Sequence, residues 1–153
     1  MEFLTYIFTS LIVYFGLILG GITAYMARDE LKQGKKYFIL MQNFILALIA
    51  AFLLYFFSIS IYFMIVASLI VFFALFLIEK SWKSYFIYPL LAVIFYLSSK
   101  SLNLFMLEST LIFLYGFPTA ALFVKKKKDI LICSLRHISF IIISILPSIL
   151  ISF

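Results

Sequence analysis

Apolar residues in this chain fall in long unbroken runs, not in the alternation of a strand or the one-sided stripe of a surface helix. The first run covers 3–27 and ends at the polar segment 28–36. About 20 apolar residues in a helix cross a ~30 Å hydrocarbon core, so the pattern predicts a spanning helix over 3–27. From 37 to 78 the chain is again almost continuously apolar. As one helix that stretch would reach about 60 Å at ~1.5 Å per residue, twice the core thickness. It must fold back. Its only polar punctuation, Ser58 and Ser60, places a tight turn at 57–61, with neither Gly nor Pro to mark it. The pattern therefore predicts helices over 37–57 and 61–78, joined as a hairpin.

Lys80 and Lys83 return the chain to a surface before a shorter apolar stretch at 85–97. A helix counted over 82–99 would be ~27 Å long, enough to cross with local thinning and with Lys100 snorkelling outward. A fifth run at 104–124 and a sixth at 130–153 lie on either side of Lys125, Lys126, Lys127 and Lys128, and Arg136 and His137 interrupt the start of the sixth. The expected fold is all-α: a polytopic transmembrane bundle of six helices forming a single integral membrane domain over 1–153.

Composition agrees with the pattern. Hydrophobic residues make up 67% of the 153 and charged residues 12%, and mean hydropathy is +1.25. Soluble domains are roughly half apolar and about a quarter charged, and a chain this short has too little interior to hide the excess from water. The excess must face lipid. The first run is longer than the apolar region of a signal peptide and comes after Glu2 with no preceding basic segment, so it reads as a retained helix.

The net charge of +6 does not lie along one polar face, as nucleic-acid binding would require, but between the apolar runs. With six crossings, ten of the basic residues fall on one side: Arg28, Lys32, Lys35, Lys36, Lys80, Lys83 and the four consecutive lysines. Only Lys100 falls opposite. The positive-inside rule makes the ten-residue side cytoplasmic and puts both termini outside. It also requires the short fourth helix to cross, since otherwise the four lysines would be exported. The expected location is the cell membrane.

Charged groups inside apolar stretches are the first functional candidates, because hydrocarbon accepts them only where protein or water faces them. Glu108 lies about one turn into the fifth run, with Asn103 and Tyr115 nearby in sequence, and suits cation binding or proton exchange. Arg136 and His137, about two turns into the sixth, suit an anionic headgroup or substrate, and the imidazole a titration near neutrality. Gln42 and Asn43 suit hydrogen bonds between helices. Small residues at four-residue spacing let backbones approach closely, so Gly16, Gly20 and Ala24 form a packing stripe, with Ala47 and Ala51, and Ser144, Ser148 and Ser152, as further ones. Pro89, Pro118 and Pro147 each remove a helical hydrogen bond, and Gly116 beside Pro118 marks a kink. Lys125, Lys126, Lys127 and Lys128 should attract anionic lipid at ~1 kcal/mol each.

Other chemistry is poorly provided for. Cys133 and His137 are the sole cysteine and histidine, so neither an intrachain disulfide nor a His/Cys metal cluster can form. HExxH, GxSxG, the P-loop and GxGxxG are missing. Asp29 and Asp129 fall at cytoplasmic helix ends and offset adjacent lysines. No catalytic residue, metal or cofactor is expected, and the partners expected are the bilayer, anionic headgroups, and a second copy or another membrane subunit.

Residues 27–38, Ala-Arg-Asp-Glu-Leu-Lys-Gln-Gly-Lys-Lys-Tyr-Phe, resemble a loop of small uncharacterised multi-spanning archaeal membrane proteins, which implies no activity. The six-helix count and the spacing of Gly16, Gly20 and Ala24 are similar to substrate-binding components of energy-coupling-factor vitamin transporters, whose first helix meets a partner through such residues. Those components close an outer loop over the vitamin, whereas here the first loop is basic and expected inside. The reading that results is a non-enzymatic structural or accessory membrane component; the alternative is a small-molecule or ion transporter, or its substrate-binding component.

Overall fold

The computed structural model describes residues 3–77 and 80–151, and within them the side chains of all but 28–30, 32–33, 80–85 and 147–151. These residues form α1 (Phe3–Met26), α2 (Arg28–Phe56), α3 (Ile61–Leu77), α4 (Lys80–Ser98), α5 (Leu102–Phe123), α6 (Lys127–Arg136) and α7 (Ser139–Ile151). Among the described residues there is no strand. α6 and α7 continue one another across a short break, so the described residues make six rods. Four spans, Phe3–Met26, Gly34–Phe56, Leu102–Phe123 and Lys127–Leu146, are long and apolar enough to cross a membrane, and Ile61–Leu77 and Phe86–Ser98 are shorter apolar helices. The molecule is an all-α transmembrane bundle.

The hairpin between α2 and α3 turns at 57–60, and its hydrogen bonds explain how it does so without glycine. The Ile59 N–H reaches back to the Leu54 carbonyl at 3.4 Å and the Ser58 N–H to the Tyr55 carbonyl at 3.0 Å. Ser58 has φ 55°. This pair of bonds around a left-handed residue is the Schellman ending of a helix, here with serine where glycine is usual.

Two helix boundaries differ from those the sequence predicts. Residues 28–36, expected as a loop, are helical: α2 begins at Arg28, and the Leu31 N–H bonds the Ala27 carbonyl at 3.2 Å. Arg, Glu, Leu, Lys and Gln are good helix formers, so polarity alone does not end a helix. At 29 residues, or about 44 Å, α2 outreaches the hydrocarbon core, and its polar turns lie before the apolar span. The sixth helix, expected over 130–153 with Arg136 and His137 interrupting its start, begins at Lys127 and breaks at His137 and Ile138.

α5 is the hub, packed by α1, α2, α4 and α6, while α7 packs on α4 and α1. Gly16 lies against Phe113 and Gly20 against Phe117, so α1 and α5 run parallel. The core beside this pair is aromatic: the Phe95 ring centre lies 4.8 Å from that of Phe105 and 5.2 Å from that of Tyr6, both tilted, and 5.7 Å from that of Phe140, edge-on. α3 stands apart. It leans on α2, buries none of its 17 residues, and presents Tyr62, Phe63, Ile70, Phe73 and Leu77 outward.

Candidate functional site

The buried face of α5 carries both apolar and polar groups. Phe105, Glu108, Ile112, Tyr115 and Thr119 are all buried, three or four residues apart along one side of the helix, with Leu104 buried beside them. Tyr115 and Thr119 meet α2, where the Gln42 amide donates both hydrogens, one to the Tyr115 hydroxyl and one to Thr119 Oγ1, each at 2.9 Å. The Thr119 hydroxyl donates in turn to the Tyr115 carbonyl at 2.9 Å.

The polar layer continues through α4 into the broken helix. The Tyr88 ring lies 5.8 Å from that of Tyr115 and 4.2 Å from that of His137. His137 Nδ1 is 2.7 Å from the Cys133 carbonyl oxygen; a carbonyl only accepts, so Nδ1 carries the hydrogen. That bond explains the break. The His137 N–H has tightened onto the Ser134 carbonyl at 3.1 Å, and the Ile138 N–H onto the Leu135 carbonyl at 3.3 Å, which deprives the Cys133 carbonyl of its usual amide partner. The imidazole takes that place, and the Ser134 carbonyl also accepts from the Tyr14 hydroxyl of α1. Gln42, Tyr115, Thr119, Tyr88, His137, Ser134 and Tyr14 thus form a polar layer across five helices.

Glu108, Arg136 and His137 do not converge on a single site. Glu108 is fully buried, and both carboxyl oxygens lack a hydrogen-bond partner. Buried hydroxyls in the same part of the bundle turn back on their own helices: Ser10 to the Ile7 carbonyl at 2.8 Å, Ser98 to Phe95 at 2.8 Å and Ser109 to Met106 at 3.0 Å. Arg136 is half-buried, with its guanidinium 5.5 Å from the centre of the Phe123 ring, a cation–π contact. Phe123 ends α5, about 22 Å along the helix from Glu108. Asn103 is exposed.

The α1 stripe faces α5 of the same chain. A Cβ on Gly20 would lie 2.6 Å from Phe117 Cα, and one on Gly116 would lie 2.6 Å from the Leu17 nitrogen, while Ala24 is buried. Ser144 is buried, and its carbonyl accepts from the Tyr6 hydroxyl at 2.8 Å; the Ser148 side chain and Ser152 lie outside the described residues. Ala47 and Ala51 are half-buried. Lys125, Lys126, Lys127 and Lys128 are exposed. Beside them Asp129 Oδ2 accepts from the Lys125 and Lys126 N–H groups at 2.8 Å each, which caps the start of α6.

Tyr14, Tyr88, Thr119 and Ser134 are members of the layer that the sequence analysis did not single out. The spacing of Glu108, Tyr115 and Thr119 on one helix face was a usable signal; tyrosines scattered through apolar runs are not, because they serve equally as core or interfacial residues. Among the described residues no three His, Cys, Asp or Glu side chains group to hold a metal. The chain matches no protein-family model, no curated protein and no solved structure.

Proposed function

We propose that this chain is a multi-pass protein of the cell membrane, crossing six times with both termini outside, and that it serves as a non-enzymatic structural or accessory subunit. The observation that carries this reading is α3, which carries no charged residue, buries none of its residues and leans on α2. A helix with no fully buried residue acts chiefly through its outer surface, where Val66, Leu69, Ile70, Phe73, Ala74 and Leu77 line an open apolar groove. Lipid fills such a surface by default, and a second membrane subunit displaces it by close packing. Native mass spectrometry of the protein extracted with its own lipids tests this. A stoichiometric second subunit, lost when Phe73 and Ile70 are changed to Ala, is the expected result; a lone chain carrying only lipid would overturn it.

Glu108 favours a second reading, transport of a small molecule or ion. A buried carboxyl inside a bundle is the ordinary mark of an ion or proton path. Glu108→Gln should abolish a proton-linked flux in vesicles at unchanged expression, and unaltered flux would remove Glu108 from that role.

A further inference from the structure

Glu108 is fully buried and neither carboxyl oxygen has a hydrogen-bond partner, a state that an ionised carboxylate does not tolerate. Moving such a charge out of water costs several kcal/mol even after the protein relaxes, and it is sustained by cations, amide donors or a metal. None of these is supplied around Glu108. The helices packed on α5 carry the phenols of Tyr6 and Tyr14 on α1 and of Tyr88 and Tyr96 on α4, and none of these bonds the carboxyl. From α2 come Lys35, Lys36, Tyr37 and Tyr55, all exposed, and from α6 come the exposed Lys127 and Lys128 with Asp129, Cys133 and Arg136. Lys100, before α5, is exposed as well, and Arg136 sits about two-thirds of a helix length away, at Phe123.

A metal ion is no better served. Calcium takes six to eight oxygens and magnesium a near-octahedral six, whereas Glu108 offers two, and among the described residues it belongs to no group of three acidic, histidine or cysteine side chains. The remaining species that one isolated carboxyl can hold in an apolar interior is a hydrogen ion, which turns the charge into a neutral acid.

We infer that Glu108 is a single-proton binding site within the membrane and holds that proton at neutral pH in the closed bundle. The inference deepens the transport reading by naming its ion, and rests on Glu108 lying inside the bilayer.

Infrared difference spectra of the full chain in liposomes, wild type minus Glu108→Gln at neutral pH, test it directly. The amide imitates a neutral acid in size and charge, so the variant should fold, and Glu108→Asp serves as a second variant that restores a carboxyl. The expected result is a protonated-carboxyl C=O band in the wild type that is lost in Glu108→Gln, returns in Glu108→Asp, and is unmoved by sodium, potassium or calcium. A carboxylate band in its place, or a C=O band removed by any of those cations, overturns the proposal. A protonated Glu108 without flux would end the transport reading and leave the proton site standing; Glu108-dependent flux with an ionised carboxylate would do the reverse.

Discussion

The Tyr14 hydroxyl donates to the backbone carbonyl of Ser134, tying the middle of α1 to the last turn of α6. Ser134 Oγ lies 2.9 Å from the same hydroxyl. With the His137 imidazole on the neighbouring Cys133 carbonyl, this contact satisfies the carbonyls that the break between α6 and α7 disturbs.

Tyr14→Phe removes the donor and keeps the ring. Hydrogen bonds between membrane helices are worth about 0.6 kcal/mol on average and up to ~1.7, and a disturbed helix end places this one toward the upper figure. Unfolding in mixed micelles should show a loss of roughly 1–1.5 kcal/mol. A variant as stable as the wild type would mean that the break needs no pin.

Gly20→Ala should destabilise the bundle, because the added Cβ would sit 2.6 Å from Phe117 Cα, a backbone atom that cannot swing aside. Overpacking of this kind costs ~1–3 kcal/mol. Gly34→Ala is the matched control: its Cβ would meet the ring of Phe38, 3.2 Å away at the end of a movable side chain, and alanine gains about 0.5–1 kcal/mol of helix propensity. Thermal unfolding in micelles should move in opposite directions for the two variants.

Ser58 holds a left-handed backbone conformation with a Cβ present, at a cost of ~1 kcal/mol. Ser58→Gly relieves it, less the entropy that glycine adds to the unfolded chain. A gain of a few tenths of a kcal/mol or more is expected in the same unfolding assay; a loss would show that the serine side chain matters to the turn.

Single cysteines in a Cys133→Ser background check the six-crossing arrangement. Ser60 and Lys126 are both exposed, one in the α2–α3 turn and one before α6. A membrane-impermeant maleimide should label Ser60→Cys from outside intact cells and Lys126→Cys only after the inner face is opened. Labelling of both from one side would leave an even number of crossings between them, so that one of α3, α4 and α5 does not span.

Much of the architecture was legible in the chain because membrane helices are specified by length and polarity. Twenty-odd apolar residues between 3 and 27, and a 37–78 run too long to cross once, announce helices and a hairpin wherever they occur. Side-chain polarity alone was a weaker guide at 28–36, where helix propensity carried α2 outward through charged residues. At the sixth helix nothing in 130–153 marks a break more strongly than many unbroken membrane helices do, since the cause lies partly in α1.

The candidate residues divide in the same way. Glu108 could be singled out from sequence as a charge in an apolar run, and His137 as the only imidazole, because each is rare in such surroundings. Their environments could not be foreseen. One turn into a helix, a glutamate reaches headgroups if it faces outward and the interior if it faces its neighbours, and the rotation of α5 is set by Gly16, Gly20 and Gly116 meeting across α1.

Taken alone, the chain dictates a helical membrane protein and roughly where its rods begin and end, because each run answers to the solvent around it. Helix packing added that Tyr14 and His137 stabilise one helix break, that Gln42 joins Tyr115 and Thr119, and that Glu108 is sealed without a partner. Those relationships depend on which faces of separate helices meet, and a face has no meaning until a second helix packs against it.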